Sequence, residues 1–216
     1  TPPTTPPTTP PTTTVTSTAA LPPALPRGPL QGGVTYRVPR SAVLGRYVQF
    51  TNTVEGATSL AGPGGFVVAS DAELFEVLLS VVDLSSVRFF TDLLADAHAI
   101  PDDAGLTQAT TEPPEDFFAY FAALPGVVAG PLTDAEIAGR PAKAMTWRFD
   151  EFEGGFPCGP APACVNVGWI GVFISSYWAG NSGTTYLVDL DGQQVLVEVR
   201  DVPGAQEAAD SLVIAD

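Results

Sequence analysis

The first 13 residues read Thr-Pro-Pro-Thr three times over, followed by one more threonine. Six prolines remove six backbone donors, and no large apolar side chain is present, so this stretch cannot enter a core or the interior of a sheet. It is expected to extend as polyproline II, at about 3.1 Å per residue and roughly 40 Å in all. Clustered threonines beside prolines are also the composition that O-glycosylation favours. Thr1, Thr4, Thr5, Thr8, Thr9, Thr12, Thr13 and Thr14 are the candidate acceptors. No Asn-x-Ser/Thr triplet occurs, so N-linked sugar is not expected. Residues 15–33 continue the arm: Val15 to Ala20 is strand-like, and Leu21 to Pro26 is extended again. The chain therefore divides into a Thr/Pro-rich stalk and basic arm over 1–33 and one globular domain over 34–216.

The sole methionine is Met145, so the chain is expected to follow a removed segment: a signal peptide, a lipoprotein leader or a longer upstream region. No run approaches the roughly 18 apolar residues of a spanning helix. Charged residues make up only 15% of the chain, well under the usual quarter, which suits an extracellular or cell-surface location. Net charge is −15, which argues against nucleic acid and anionic membrane surfaces as partners. The charge is unevenly spread. Residues 1–54 carry Arg27, Arg37, Arg40 and Arg46 and no acid, while residues 55–216 carry all 24 acids against five basic residues. Either the basic arm packs on its own acidic body, or it docks on a neighbouring copy.

Cys158 and Cys164 are the only cysteines. A disulfide between them would close a small loop and contribute about 2 kcal/mol by loop-closure reasoning. The alternative, a metal pair, is poor because His98 is the only histidine and there is no further cysteine.

Along the body, Val34–Val38, Arg46–Thr51 and Phe66–Ala69 read as strands. Ser70-Asp71-Ala72-Glu73 has the form of a capping box, opening an expected helix through about Val82 with Leu74, Val77, Leu78 and Val81 on one face. Val87–Phe90 reads as a strand, with a helix to Ala97 as the alternative, and residues 100–114 as a loop. A short helix is expected from Glu115 to Leu124, stopped by Pro125-Gly126. Leu132–Ile137 and Lys143–Phe149 pair over Ala138-Gly139-Arg140, and Tyr186–Leu190 pairs with Gln193–Val199 over Asp191-Gly192. Cys164–Tyr177 reads as strand. A helix over about Gly204–Asp210 and a strand at Leu212–Ile214 close the chain. The expected fold class is α+β: one antiparallel sheet with two or three helices packed on it.

Several of these pieces carry a resemblance. They are Asp116 to Val127, a helix closed by Pro-Gly; Ile137 to Ala142 ahead of a strand; the cysteine loop; and Tyr186 to Gly192 followed by Val195 to Val199. Together they resemble secreted or lipoprotein-like bacterial α+β domains of PsbP/Mog1-like type. The resemblance covers about the second half of the body and implies that fold and an exported location. It transfers no functional residue.

No reactive constellation is visible. Gly180-Asn181-Ser182-Gly183 is not the Gly-x-Ser-x-Gly of a nucleophile elbow, and no nucleophile can be named for His98. Asp150-Glu151-Phe152-Glu153 is the densest acidic cluster and reads as a solvated loop. Asp189-Leu190-Asp191-Gly192 and Asp102-Asp103 supply oxygen ligands without the spacing of a calcium loop. Gly62-Pro63-Gly64-Gly65 lacks the residues of a phosphate loop. No cofactor, metal or catalytic residue is therefore expected.

The most distinctive stretch is Val165 to Tyr177, inside a segment without any charge from residue 154 to 188. It reads either as a central strand buried on both faces or as a contact surface. In the second case Trp169, Phe173, Tyr177 and Trp178, with Arg27, Arg37 and Arg40, are the candidate interface. The expectation is a non-enzymatic extracellular structural or interaction protein, self-associating through its arm and partnered by other copies or by cell-surface components. The alternative is an exported domain holding a lipid or other apolar molecule near Phe117–Phe121.

Overall fold

The computed structural model describes residues 20–39, 45–62, 64–70, 77–90, 93–94, 110–158, 161–170 and 173–215. Sixteen strands and two α-helices lie among them. The N-terminal half contributes β1 (Gly28–Pro29), β2 (Thr35–Val38), β3 (Tyr47–Thr51), β4 (Ala57–Gly62), β5 (Gly65–Ser70), β6 (Val77–Asp83) and β7 (Arg88–Phe90). After β8 (Thr110–Thr111) come α1 (Phe117–Ala122), β9 (Val127–Ile137), β10 (Arg140–Phe149), β11 (Phe156–Cys158), β12 (Ala161–Ile170) and β13 (Phe173–Trp178). The chain closes with β14 (Ser182–Leu190), β15 (Gln193–Arg200), α2 (Ala205–Asp210) and β16 (Val213–Ala215).

Three sheets result. The largest has eight strands in the order β1-β4-β5-β6-β15-β14-β10-β9, every pairing antiparallel. A five-stranded sheet has β12 at its centre, with β11 and β7 on one side and β13 on the other. A small sheet is ordered β16-β3-β2. The large sheet is the middle layer. On one face Val195, Val197, Val199, Phe66, Val68, Leu79 and Val81 meet the small sheet and the alanines of α2. On the other face Val82, Met145, Trp147, Phe149 and Leu196 meet α1 and the five-stranded sheet.

This overturns the α+β expectation: the fold is β-rich, with only two short helices. The main error lies in the helix expected to run to Val82. Residues 71–76 lie outside the described residues, and Val77–Asp83 is β6, a strand buried along almost its whole length. Val77-Leu78-Leu79-Ser80-Val81-Val82 supplies both cores at once, and an apolar run buried on two faces has no periodicity to separate strand from helix.

Packing also reaches further toward the N-terminus than Val34. Leu25 and Leu30 are buried in the aliphatic core, Ala24 bridges Arg37, and Pro26 accepts a hydrogen bond from Ser59 Oγ at 2.6 Å. The two hairpins expected from turn residues form. Ala138 and Gly139 have φ of 56° and 71°, and Asp191 and Gly192 have 58° and 87°, the left-handed pairs of two-residue turns that match strand twist. Helix α1 begins where Asp116 Oδ1 accepts from Ala119 N at 3.0 Å.

Candidate functional site

The alternation of β15 decides where charge is buried. Val195, Val197 and Val199 face the aliphatic core, so Leu196, Glu198 and Arg200 face the aromatic one. Arg200 Nε donates to Glu198 Oε1 at 2.8 Å, and the two side chains are 3% and 4% exposed. The Tyr177 hydroxyl, reaching over from β13, donates to Glu198 Oε2. The guanidinium carbon lies 4.9 Å from the Trp147 ring centroid and 4.5 Å from that of Tyr177. Trp147 Nε1 donates to Thr185 Oγ1 at 2.9 Å, and Thr185 is the cross-strand partner of Glu198. Among the described residues Arg200 Nη1 has no hydrogen-bond partner. Gly183, opposite Arg200, has no room for a Cβ between Val199 O and the Trp147 ring.

Buried charge of this kind persists only when paired and hydrogen-bonded. Both Glu198 oxygens are engaged, and the pair is sealed beneath aromatic rings. The arrangement holds two sheets together and does not present a base or nucleophile to a substrate. Neither Glu198 nor Arg200 was nominated from sequence. A signal exists, because two charges at i and i+2 in an otherwise valine-rich strand must share one face. Among the described residues no group of three or more His, Cys, Asp or Glu is arranged to hold a metal ion.

The candidates named from sequence scatter. Tyr177 is a core residue, 2% exposed. Trp178 is half-buried against Phe156 and Cys164. Trp169 and Phe173 are neighbours across the β12–β13 pairing, in the register Trp169↔Ile174 and Ile170↔Phe173, and their side chains lie outside the described residues. Arg27 is exposed and Arg37 half-buried in β2, so the structure does not bring these two arginines together with Tyr177. Arg40, His98, Asp102, Asp103 and the threonines of the stalk lie outside the described residues. Cys164 is fully buried, no described cysteine is free, and the side chain of Cys158 lies outside the described residues. The rings over Phe117–Phe121 pack on one another and on the sheet. Phe121 is fully buried, with centroids 5.6 Å from Trp147 and 5.5 Å from Tyr177. Burial pushes the Tyr120 hydroxyl up to about 12, and it has no hydrogen-bond partner among the described residues.

The longest strand, β9, stands at one end of the large sheet. This 11-residue strand ends the large sheet, and no described strand pairs with its outer edge. Ile137 and Arg140 close a two-residue hairpin, so Ile137, Ala135 and Thr133 turn their backbone groups inward to β10. Leu132, Asp134 and Glu136 therefore turn theirs outward. Val128 and Leu132 are 38% and 51% exposed. Pro131 lies beside the register shift opposite Thr146, where an edge strand tolerates proline. Gly130 has no space for a Cβ because Thr146 Oγ1 occupies it. Asp134 pairs with Lys143 at 2.5 Å on the exposed surface.

No family model, curated protein or solved structure matches this chain. The resemblance to PsbP/Mog1-like domains thus gains no support from known proteins.

Proposed function

We propose that the protein is a non-enzymatic extracellular structural or interaction subunit that associates with other copies along the outer edge of β9. The observation that carries this reading is the edge itself: outward N–H and C=O groups at Leu132, Asp134 and Glu136, flanked by exposed Val128 and Leu132. An extended segment laid there gains main-chain hydrogen bonds without rearranging the body. The buried, fully engaged Glu198 carboxylate speaks against catalysis at the Glu198–Arg200 pair. A low density of charge and a stalk of candidate O-glycosylation sites suit a surface-displayed subunit.

The test is sedimentation velocity on the full chain over a concentration series, beside Leu132→Pro, which removes an outward N–H from a strand position that tolerates proline. Leu132→Thr keeps that N–H while shortening the apolar side chain. The expected result is concentration-dependent association of the wild type and of Leu132→Thr, and loss of association in Leu132→Pro. A wild type that stays monomeric throughout, or a Leu132→Pro variant that associates equally well, overturns the reading.

A further inference from the structure

We infer that the segment received by β9 is residues 15–20 of a second copy, so that subunits join head to tail. The inference rests on the proposed role of the β9 edge and adds the identity of its occupant.

Three observations converge on it. The first is topological. The arm enters the body at the opposite end of the large sheet from β9: Pro26 is held by Ser59 of β4, and Gly28 and Pro29 form β1, the other edge strand. Before that, Pro23 and Leu25 pair with Arg37 of β2, so Ala20 stays within about 10 Å of that anchor on the small sheet. The strand-prone segment therefore leaves its own body beside β2, whereas a neighbour's β9 carries no such tether.

The second is chemical. Prolines fill the chain up to Pro11 and resume at Pro22. Between them lies the longest proline-free part of the arm, including Thr-Thr-Thr-Val-Thr-Ser-Thr-Ala-Ala over 12–20, rich in β-branched residues and with a backbone N–H at every position.

The third is electrostatic. Residues 55–216 hold all 24 acids, so two bodies brought face to face repel. Residues 1–54 hold none, and Arg27 is exposed just beyond the segment. The β9 edge carries Asp134 and Glu136, both exposed. The arm is the part of the chain that can approach this edge without like-charge cost.

Arm and edge lie at different places on the same subunit, so each subunit receives one arm and donates one. Reciprocal exchange between two copies, a ring, or a chain follows according to the rotation between neighbours.

The experiment uses two full-length variants. In the arm variant, Val15→Pro and Thr16→Pro are combined, because successive N–H groups point to opposite edges of a strand. The edge variant is Leu132→Pro. Each alone is expected to associate at least about tenfold more weakly than the wild type. Mixed, they are expected to form one-to-one heterodimers and nothing larger, because the arm variant still offers an edge and the edge variant still offers an arm. Hydrogen exchange should then slow at Asp134 and Glu136 of the arm variant on mixing. If the wild type associates and Leu132→Pro abolishes it, but the arm variant associates normally, another segment fills the edge and this inference falls while the proposed function stands. Slow exchange at β9 in a protein that is monomeric would show each arm bound to its own body, and would overturn the head-to-tail contact. A monomeric wild type with fast exchange at β9 removes both proposals.

Discussion

The two cores, separated by one sheet, are built from opposite chemistry. On one face β15 contributes Val195, Val197 and Val199 to a cluster of valines, leucines and alanines, with Phe50 stacked on Phe66 at 5.3 Å. On the other face the same strand contributes Leu196, Glu198 and Arg200 to a cluster dominated by Phe117, Phe121, Trp147, Phe149 and Tyr177. The described side chains of the aliphatic cluster are hydrocarbon apart from the hydroxyls of Tyr36 and the half-buried Tyr186. The aromatic core offers a tyrosine hydroxyl, an indole, a threonine hydroxyl and two ring faces. The comparison teaches that Glu198 and Arg200 are tolerated because their side of the sheet is aromatic. A polar group one residue along the strand would have no such company.

The sharpest way to break that contrast is Arg200→Met, which leaves the Glu198 carboxylate buried without its cation. Chemical denaturation should show a loss of about 3–5 kcal/mol. Glu198→Leu combined with Arg200→Met should recover most of it, because two apolar groups of similar volume have no charge to desolvate. If the double variant is no more stable than the single one, packing rather than charge is what Arg200 supplies.

A second pair of changes tests both faces at equal volume. Tyr177→Phe removes the donor to Glu198 and should cost about 1.5–3 kcal/mol. Val197→Thr places a hydroxyl among the mostly hydrocarbon side chains of the other face and should cost about 1–3 kcal/mol. Equal stability of Val197→Thr and wild type would show that the aliphatic core can satisfy a polar group, and would end the contrast.

The smallest effect concerns Tyr120, at the margin of the aromatic core. Its hydroxyl is raised by burial from 10.0 to about 12. The unfolded chain therefore loses this proton first as pH rises. The stabilisation is complete below pH 10 and declines between pH 10 and about 12. Melting temperatures followed across that window should fall, and Tyr120→Phe should flatten the fall without changing stability near neutrality. An unchanged alkaline slope in Tyr120→Phe would place the titration elsewhere.

Local signals were the legible part of this fold. Asp191-Gly192 and Ala138-Gly139 announced hairpins because left-handed turn residues set register within a few positions. Helix α1 falls inside the span expected from Glu115 to Leu124, ahead of Pro125-Gly126. The apolar run of β6 was illegible for a physical reason: a strand covered on both faces loses the alternation that would identify it. The same holds across β12 and β13, where the uncharged run does not say which residues become core. Val165, Val167 and Tyr177 are buried, while Trp178 is only half so. That β9 ends the large sheet could not be read from its residues either, because being last in a sheet is a property of strand order.

By itself the sequence determined that a proline-rich, acid-free arm precedes an acidic body, and where the tightest turns fall. Those depend on composition and on backbone preferences of one or two residues. Which strands neighbour one another, which face of β15 receives aromatic partners, and which strand ends the large sheet were decided only in the tertiary structure. Each depends on contacts between residues far apart in the chain: Tyr177 with Glu198, Ser59 with Pro26, and Arg140 with Ile214. A local pattern cannot encode these, because burial is conferred by whatever packs against a residue from elsewhere in the chain.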